Sequence, residues 1–207
     1  MFLKHYITGP IQVNTYLLAD EETKDAIVID LGGSWAEIKK DADSLGFKIN
    51  YILLTHGHFD HILGIPEMQK TETIPVLMNK NDLFLTEHLS EMLSHFRINS
   101  DVSSVKTDKF IDETTPLKVG KYEIKTLSTP GHTPGGQSYY VDGKVFSGDS
   151  LFRFSVGRTD LPGGNHAQLI NSVKTKLFTL PPSTMVYPGH DVFSTIRDEI
   201  ENNMFVR

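Results

Sequence analysis

The chain has 207 residues, no cysteine and a formal net charge of −6 at pH 7. This length suits a single domain with a sizeable core, and we expect residues 1–207 to form one. Without cysteine there can be no disulfide or thiolate ligand, so any metal site has to use histidine and carboxylate. Because no basic cluster offsets the negative charge, we expect no nucleic-acid or anionic-membrane partner.

The N-terminal sequence MFLKHYITGPIQVNTYLL contains no basic segment followed by a long apolar run. It is therefore not predicted to be a signal peptide, and no stretch of the chain is long enough to cross a membrane. We expect a cytoplasmic protein.

Strands and helices alternate along the first half of the chain. Ser34 is placed as the N-cap of a helix that Gly46 ends. In chain order the predicted elements are strands 13–19 and 25–33, helix 34–46, strand 49–54, a helix within 61–70, strand 74–79 and a helix over 80–97.

The second half returns to strands and then ends in helices. Asp142 and Gly143 form a hairpin signal between two of the strands. The predicted elements are strands 122–129, 137–142 and 144–149, helix 165–180, a strand running into a loop at 184–191 and a helix from Ser194. Alternation within each half fits a four-layer α/β sandwich, with two packed sheets and helices outside, better than one parallel sheet.

The helical pattern over 80–97 carries an apolar stripe that includes Phe84, Leu89, Met92 and Phe96. A stripe at this spacing is most simply part of the core. The alternative interpretation is that a helix near a functional site walls a substrate pocket.

Polar donors cluster where predicted strands end. The sequence Thr-His-Gly-His-Phe-Asp-His at 55–61 follows an apolar run, and His132, Asp149 and His190 each follow a later strand. Loops carried on a rigid scaffold are where sites are usually built. Asp30 also ends a strand and is either a turn-forming carboxylate or an acceptor that orients a ligand histidine.

These residue types suit a metal site. Neutral imidazole and carboxylate bind Zn²⁺, Fe²⁺ or Mn²⁺. His56 and His58 are two residues apart, so an extended segment points both to one side, and the chain must then turn for Asp60 and His61 to face a second ion. Asp149 is the natural bridge between two such ions. The remaining histidines are predicted to be surface residues: His5, His88, His95 and His166.

The motif at 55–61 resembles the T-H-x-H-x-D-H signature of the metallo-β-lactamase fold superfamily, and the later donors follow in that family's order. The resemblance implies an αββα sandwich with two mixed sheets. It implies that His56, His58 and His132 bind a first metal. It also implies that Asp60, His61 and His190 bind a second, with Asp149 bridging.

Within that superfamily the chain resembles the compact glyoxalase II (hydroxyacylglutathione hydrolase) branch, on the stretches TPGHTPGG, GDSLF and VGRTDLPGG. Arg158 stands where that group has a basic residue that holds the carboxylate of the thiol cofactor; the alternative is a surface or ion-pair arginine. Only a short segment follows His190, so we expect no C-terminal helical domain of the long glyoxalase II type. The cysteine ligand and signal peptide of exported β-lactamases are not found here.

The resemblance implies a binuclear hydrolase that cleaves a small-molecule thioester with a metal-bridging hydroxide, in which Asp60 and Asp149 are catalytic. Zinc is the expected metal, with iron or manganese as alternatives. A related alternative is a persulfide dioxygenase with one iron on His56, His132 and Asp149. A non-catalytic member of the fold is a third hypothesis, disfavoured because a chain freed of catalysis need not keep seven donors.

Overall fold

The structure is a computed structural model that describes residues 1–99, 102 and 104–206. Its first half forms a mixed six-stranded sheet in sequential strand order. The first three strands pair antiparallel, and the third to the sixth pair parallel. These strands are β1 (Phe2–Thr8), β2 (Val13–Ala19), β3 (Asp25–Ile29), β4 (Lys48–Leu53), β5 (Val76–Met78) and β6 (Lys109–Phe110).

The second half forms another mixed six-stranded sheet, again with sequential neighbours. The fourth and fifth strands of this sheet pair parallel, and all other neighbours pair antiparallel. Its strands are β7 (Leu117–Val119), β8 (Tyr122–Ser128), β9 (Gln137–Val141), β10 (Lys144–Gly148), β11 (Met185–Pro188) and β12 (Ser194–Thr195).

The helices are short and cover the outer faces of the two sheets. The α-helices are α1 (Trp35–Ser44), α2 (Phe59–Ile62), α3 (Ile65–Thr71), α4 (Leu83–Glu87), α5 (Leu89–His95), α6 (His166–Ser172) and α7 (Ile196–Asn202). Single turns of 3₁₀-helix lie at Lys80–Asp82 and Met204–Val206, and α6 continues as a π-helix over Val173–Leu177.

Three apolar clusters separate these layers. The middle cluster joins residues of both sheets, including Leu18 and Phe146, and fills the space between them. A second cluster packs α1, α3 and α5 against the first sheet, and a third packs α6 and α7 against the second. Because β2 contributes to both faces of its sheet, all seven of its residues are buried. The predicted four-layer sandwich with two mixed sheets is confirmed.

Most predicted elements are present, with shorter bounds and some breaks. The predicted helix 80–97 is divided into a 3₁₀ turn, α4 and α5, with His88 between the two α-helices. The predicted helix within 61–70 is likewise broken between α2 and α3. The hairpin prediction is confirmed: Asp142 and Gly143 both have positive φ, as a two-residue type I′ turn requires.

Two predicted helix starts differ from the structure. Ser34 precedes α1, but it lies in the left-handed region with φ 55° and its side chain caps no backbone N–H. The last helix begins at Ile196 rather than Ser194, because Ser194–Thr195 pairs with β11 and Thr195 provides the N-cap. Within residues 1–99, 102 and 104–206, no helix combines the length and apolar character needed to cross a bilayer.

Candidate metal centre

The candidate site is assembled where strands of both sheets end. In the first sheet, β4 leads into the loop that carries His56 and His58, and α2 then supplies Asp60 and His61. In the second sheet, the segments after β8, β10 and β11 supply the other three predicted donors: His132, Asp149 and His190. All seven candidate donors therefore lie together although they span most of the chain.

Their donor atoms form three overlapping groups, in each of which the atoms lie within 4.8 Å of one another. The groups are His56 with His58 and His132, His56 with His61 and Asp149, and Asp60 with His61 and His190. The middle group shares one histidine with each of the others. The first and third groups are the two ligand sets that the sequence resemblance implies, and Asp149 belongs to the group between them. The assignment of these groups to metal ions stays a prediction.

The orphaned polar atoms of the cluster fit a bound cation. Nε2 of His56, Nε2 of His61 and Oδ1 of Asp149 are buried and make no hydrogen bond. His61 Nε2 and Asp149 Oδ1 face each other at 3.3 Å without forming a well-aligned bond. A buried polar atom without a partner costs about 1–3 kcal/mol, and such atoms in native proteins call for an explanation. Divalent metal ions coordinated by these nitrogens and oxygens supply one, and the donor set suits them.

Protonation states in the cluster also suit metal binding. Burial, followed by the neighbouring His61, lowers the pKa of His56 well below its usual range, and burial lowers the pKa of His58 to about 3. Both rings are neutral at pH 7, which is the ligand form. Burial opposes the ionisation of Asp149, but His61 beside it lowers its pKa well below the usual range.

The carboxylates around His61 favour its protonated form. Burial acts to lower its pKa, but the surrounding carboxylates, of which Asp30 acts most strongly, raise the pKa well above its usual value. Binding of a divalent cation by His61 Nε2 would release a proton, because a ligand ring has to be neutral at the ligating nitrogen.

Asp30 orients a donor histidine. Its Oδ2 lies 2.7 Å from His61 Nδ1 and accepts a hydrogen bond from Thr55 Oγ1 at 2.8 Å, while Oδ1 accepts from Thr55 N at 2.8 Å. Of the two interpretations left open by the sequence, the orienting carboxylate is confirmed. This contact leaves His61 Nε2 as the nitrogen directed at the other donors.

Arg158 contributes to the site through its backbone as well as its side chain. Its carbonyl oxygen lies 2.7 Å from His132 Nδ1 and thereby directs His132 Nε2 toward the cluster. Arg158 lines the site opening, and its guanidinium side chain is 53% exposed and forms a two-pronged ion pair with Asp160, at 2.8 and 2.6 Å. A substrate carboxylate would have to compete with Asp160 for this guanidinium.

Asp82 is a buried residue of the site that sequence reasoning missed. Its carboxylate accepts hydrogen bonds from Gly57 N at 3.0 Å, Thr133 Oγ1 at 2.7 Å and Gly135 N at 2.6 Å. It thereby joins the loop of His56 and His58 to the loop of His132. No sequence signal distinguishes it from an ordinary acidic residue at the start of a helical pattern.

Asn14, in β2, fastens the loop that carries His190. Its side-chain amide donates to the carbonyl oxygens of Pro188 and Asp191, both at 3.0 Å, and its backbone N–H donates to Gly189 O at 2.7 Å. Gly189 is required here, because a Cβ at this position would collide with Asp149 and His61. His5 Nε2 donates to Asn14 Oδ1 at 2.7 Å and the residue is half-buried, so its prediction as a plain surface residue is wrong.

Two adjoining spaces border the donor cluster, and they share the lining residues His58, Phe96 and Leu161. The opening over the donors has a volume of about 330 Å³. A second cavity of about 350 Å³ continues between α4, α5 and the loop at 161–162. Leu89 belongs to the core as predicted, and Met92 and Phe96 pack against that core. Phe84, Met92 and Phe96 also line the second cavity, so the stripe combines both interpretations. His88 and His95 are exposed at its mouth, and His166 is exposed on α6.

An αββα sandwich that gathers histidine and carboxylate donors at its strand ends defines a class of metallo-hydrolases. The chain belongs to the metallo-β-lactamase superfamily, whose family model matches residues 8–190.

Relatives of similar length support this membership. The chain is 37% identical over 200 residues to the probable metallo-hydrolase YqgX of Bacillus subtilis, covering 96% of this chain and 94% of the relative. It is 33% identical over 198 residues to the hydroxyacylglutathione hydrolase GloC of Haemophilus influenzae, covering 94% and 93%.

Solved structures give the same result. The BLEG-1 B3 metallo-beta-lactamase superimposes with a TM-score of 0.90 at 34% identity, covering 99% of both chains. The di-iron-bound form of TTHA1623 superimposes with a TM-score of 0.87 at 34% identity, covering 98% of this chain and 99% of that one.

Proposed function

We propose that this protein is a binuclear metal-dependent thioesterase of the hydroxyacylglutathione hydrolase type. The observation that carries the proposal is the convergence of seven histidine and carboxylate donors, three of whose atoms are buried without hydrogen bonds. The likeness to GloC over nearly the whole of both chains supports the choice of a thioester substrate.

The proposed ligands follow the observed groups. His56, His58 and His132 would hold one ion and Asp60, His61 and His190 the other, with Asp149 between them. When bound, such ions supply an acidified water and an electrophile for the carbonyl oxygen. Zinc is our first choice, and iron is an alternative that the di-iron form of TTHA1623 supports.

The chain's own residues position these groups and the substrate. Asp30 fixes the ring of His61, and the Arg158 carbonyl fixes the ring of His132. The Arg158 guanidinium, at the opening, is the proposed anchor for a carboxylate of the thiol carrier. A thiolate is a good leaving group, so the reaction needs no strong general acid.

Metal analysis combined with substrate assays tests the proposal. Protein purified without oxygen should contain about two metal ions per chain and should hydrolyse lactoyl-glutathione. One iron per chain, with oxygen consumption on glutathione persulfide and no thioester hydrolysis, would instead support the dioxygenase alternative.

β-Lactam hydrolysis is a second candidate, favoured by the likeness to BLEG-1. A chromogenic cephalosporin assayed beside lactoyl-glutathione separates the two. If the cephalosporin has the higher kcat/KM, the thioesterase proposal is wrong.

A further inference from the structure

The cavity beside the donor cluster is apolar and belongs to no proposed ligand. It lies between α4 and α5 on one side and the loop at Leu161–Pro162 on the other. Its apolar walls include Phe84, Leu85, Met92 and Phe96. Polar side chains occur at its exposed rim, where His88 lies 3.3 Å from Glu91, and at its inner end, where His58 lies.

The cavity adjoins the reaction site. His58, Phe96 and Leu161 border both the cavity and the opening over the donors. Phe96 also packs on Phe59, the residue between the donors His58 and Asp60, with ring centroids 4.9 Å apart. A group attached to the reacting carbonyl can therefore enter the cavity directly.

Charge divides the two sides of the site. Among the described residues that line the opening, Arg158 is the one lysine or arginine, and no lysine or arginine lines the apolar cavity. A thiol carrier with a carboxylate is suited to the Arg158 side. The acyl group then has the apolar side, where burial of each methylene is favourable by about 0.8 kcal/mol.

We infer that the cavity binds the acyl chain of the substrate, and that the preferred thioesters carry an apolar acyl group longer than lactoyl. This inference rests on the proposed thioesterase function and specifies its acyl group. A volume of about 350 Å³, compared with roughly 30 Å³ for a group the size of a water molecule, accommodates a chain of about six to eight carbons with space left at the mouth.

A chain-length series tests the inference. We expect kcat/KM for acyl-glutathiones to rise about threefold to fourfold per methylene from acetyl to hexanoyl or octanoyl and then to level off. Met92→Trp fills the cavity and should reduce the octanoyl-to-acetyl ratio of kcat/KM at least tenfold. Met204→Trp, at a position that is 68% exposed and outside both spaces, is the matched control and should keep the wild-type ratio.

Binding provides a second readout that needs no hydrolysis. Octanoate titrated into the metal-free protein should bind, and Met92→Trp should weaken that binding at least tenfold relative to Met204→Trp. A flat chain-length series, or one that Met92→Trp leaves as steep as in the wild type, overturns the acyl-chain assignment while the thioesterase proposal stands. If no thioester is hydrolysed, that proposal fails, and the octanoate titration alone decides whether the cavity is an acyl site.

Discussion

Asp149 is the residue on which both proposed metal groups depend. Its Oδ1 lies 3.3 Å from His61 Nε2 and its Oδ2 lies 3.5 Å from His132 Nε2. Asp149→Ala should therefore lower bound metal at both sites and reduce hydrolysis of lactoyl-glutathione by at least a thousandfold. Elemental analysis and steady-state kinetics provide the measurements. Asp43→Ala, which removes an exposed carboxylate on α1, is the control and should keep full metal content and activity. Full metal content in Asp149→Ala would refute the binuclear assignment.

Arg158 is expected to affect binding more than turnover, because a carboxylate remote from the scissile bond is held equally in the ground and transition states. Its ion pair with Asp160 reduces the expected size of the effect. Arg158→Ala should raise KM for a carboxylate-bearing thioester about threefold to tenfold with little change in kcat, since an exposed charged contact is worth about 1 kcal/mol.

Asp160→Ala is the complementary variant, because it frees the guanidinium and should lower the same KM. A neutral thioester without a carboxylate should respond to neither change. Equal impairment of both substrates by Arg158→Ala would show that Arg158 acts by shaping the loop that orients His132 rather than by binding the carrier.

At the scale of elements, Asp82 connects the loop after β4 to the loop after β8. The Asp82 carboxylate accepts hydrogen bonds from Gly57 N, Thr133 Oγ1 and Gly135 N. Asp82→Asn replaces one acceptor oxygen by an N–H₂ group, which then faces at least one of these donors. The lost bond and the unpaired donor should lower the free energy of unfolding by about 1–3 kcal/mol. We also expect weaker binding of the metal held by His56, His58 and His132, measured by competition with a chelator. Unchanged metal affinity would show that the connection serves stability alone.

The starts of α1 and α7, which differ from the sequence prediction, allow a paired test of helix capping. Thr195 and Asp198 form a complete capping box at α7, with Thr195 Oγ1 accepting from Asp198 N at 3.1 Å. Thr195→Ala should cost about 1–2 kcal/mol of stability in urea denaturation. Ser34→Ala should change stability by less than about 0.5 kcal/mol, because Ser34 makes no such bond. Ser34→Gly should be neutral or stabilising, because φ at this position is positive.

Strands that carry apolar runs were predictable from sequence, including the three-residue β5, whereas β1, β6, β7 and β12 were not. The strands β2, β4, β8, β9 and β10 carry buried residues on one or both faces, which produces the apolar runs that sequence analysis detects. The strands β6 and β12 have two residues each, too few for any periodicity, and β1 is only half-buried along most of its length. Their pairing depends on neighbouring strands that the local sequence does not encode.

The same contrast holds within the site. The positions of His132, Asp149 and His190 could be predicted because each follows a recognisable strand. The roles of Asp82 and Asn14 could not, because their partners are backbone groups far away in sequence. Asp30 could be given two interpretations, and only the distance to His61 Nδ1 separates them.

At the scale of the whole molecule, removal of metal should destabilise the fold. In the metal-free protein three buried donor atoms have no hydrogen-bond partner. Free metal at about a thousandfold excess over its Kd would stabilise the folded state by about 4 kcal/mol. We expect chelation to lower Tm by on the order of 10 °C for a chain of this size. Calorimetry or circular dichroism measures this change. Re-addition of zinc should restore Tm. A chelated sample shown to be free of metal but with the original Tm would contradict the proposed site.

The division of the donors between the two sheets has a consequence for biosynthesis. Asp60 and His190 lie 130 residues apart, 3.0 Å from each other in the folded chain. Six of the seven proposed donors leave the ribosome before His190, so the second group cannot be completed until residue 190 has been synthesised and the sheets have docked. Metal capture would then be a late step that follows assembly of the two halves, and a chain released before residue 190 would be unable to complete it.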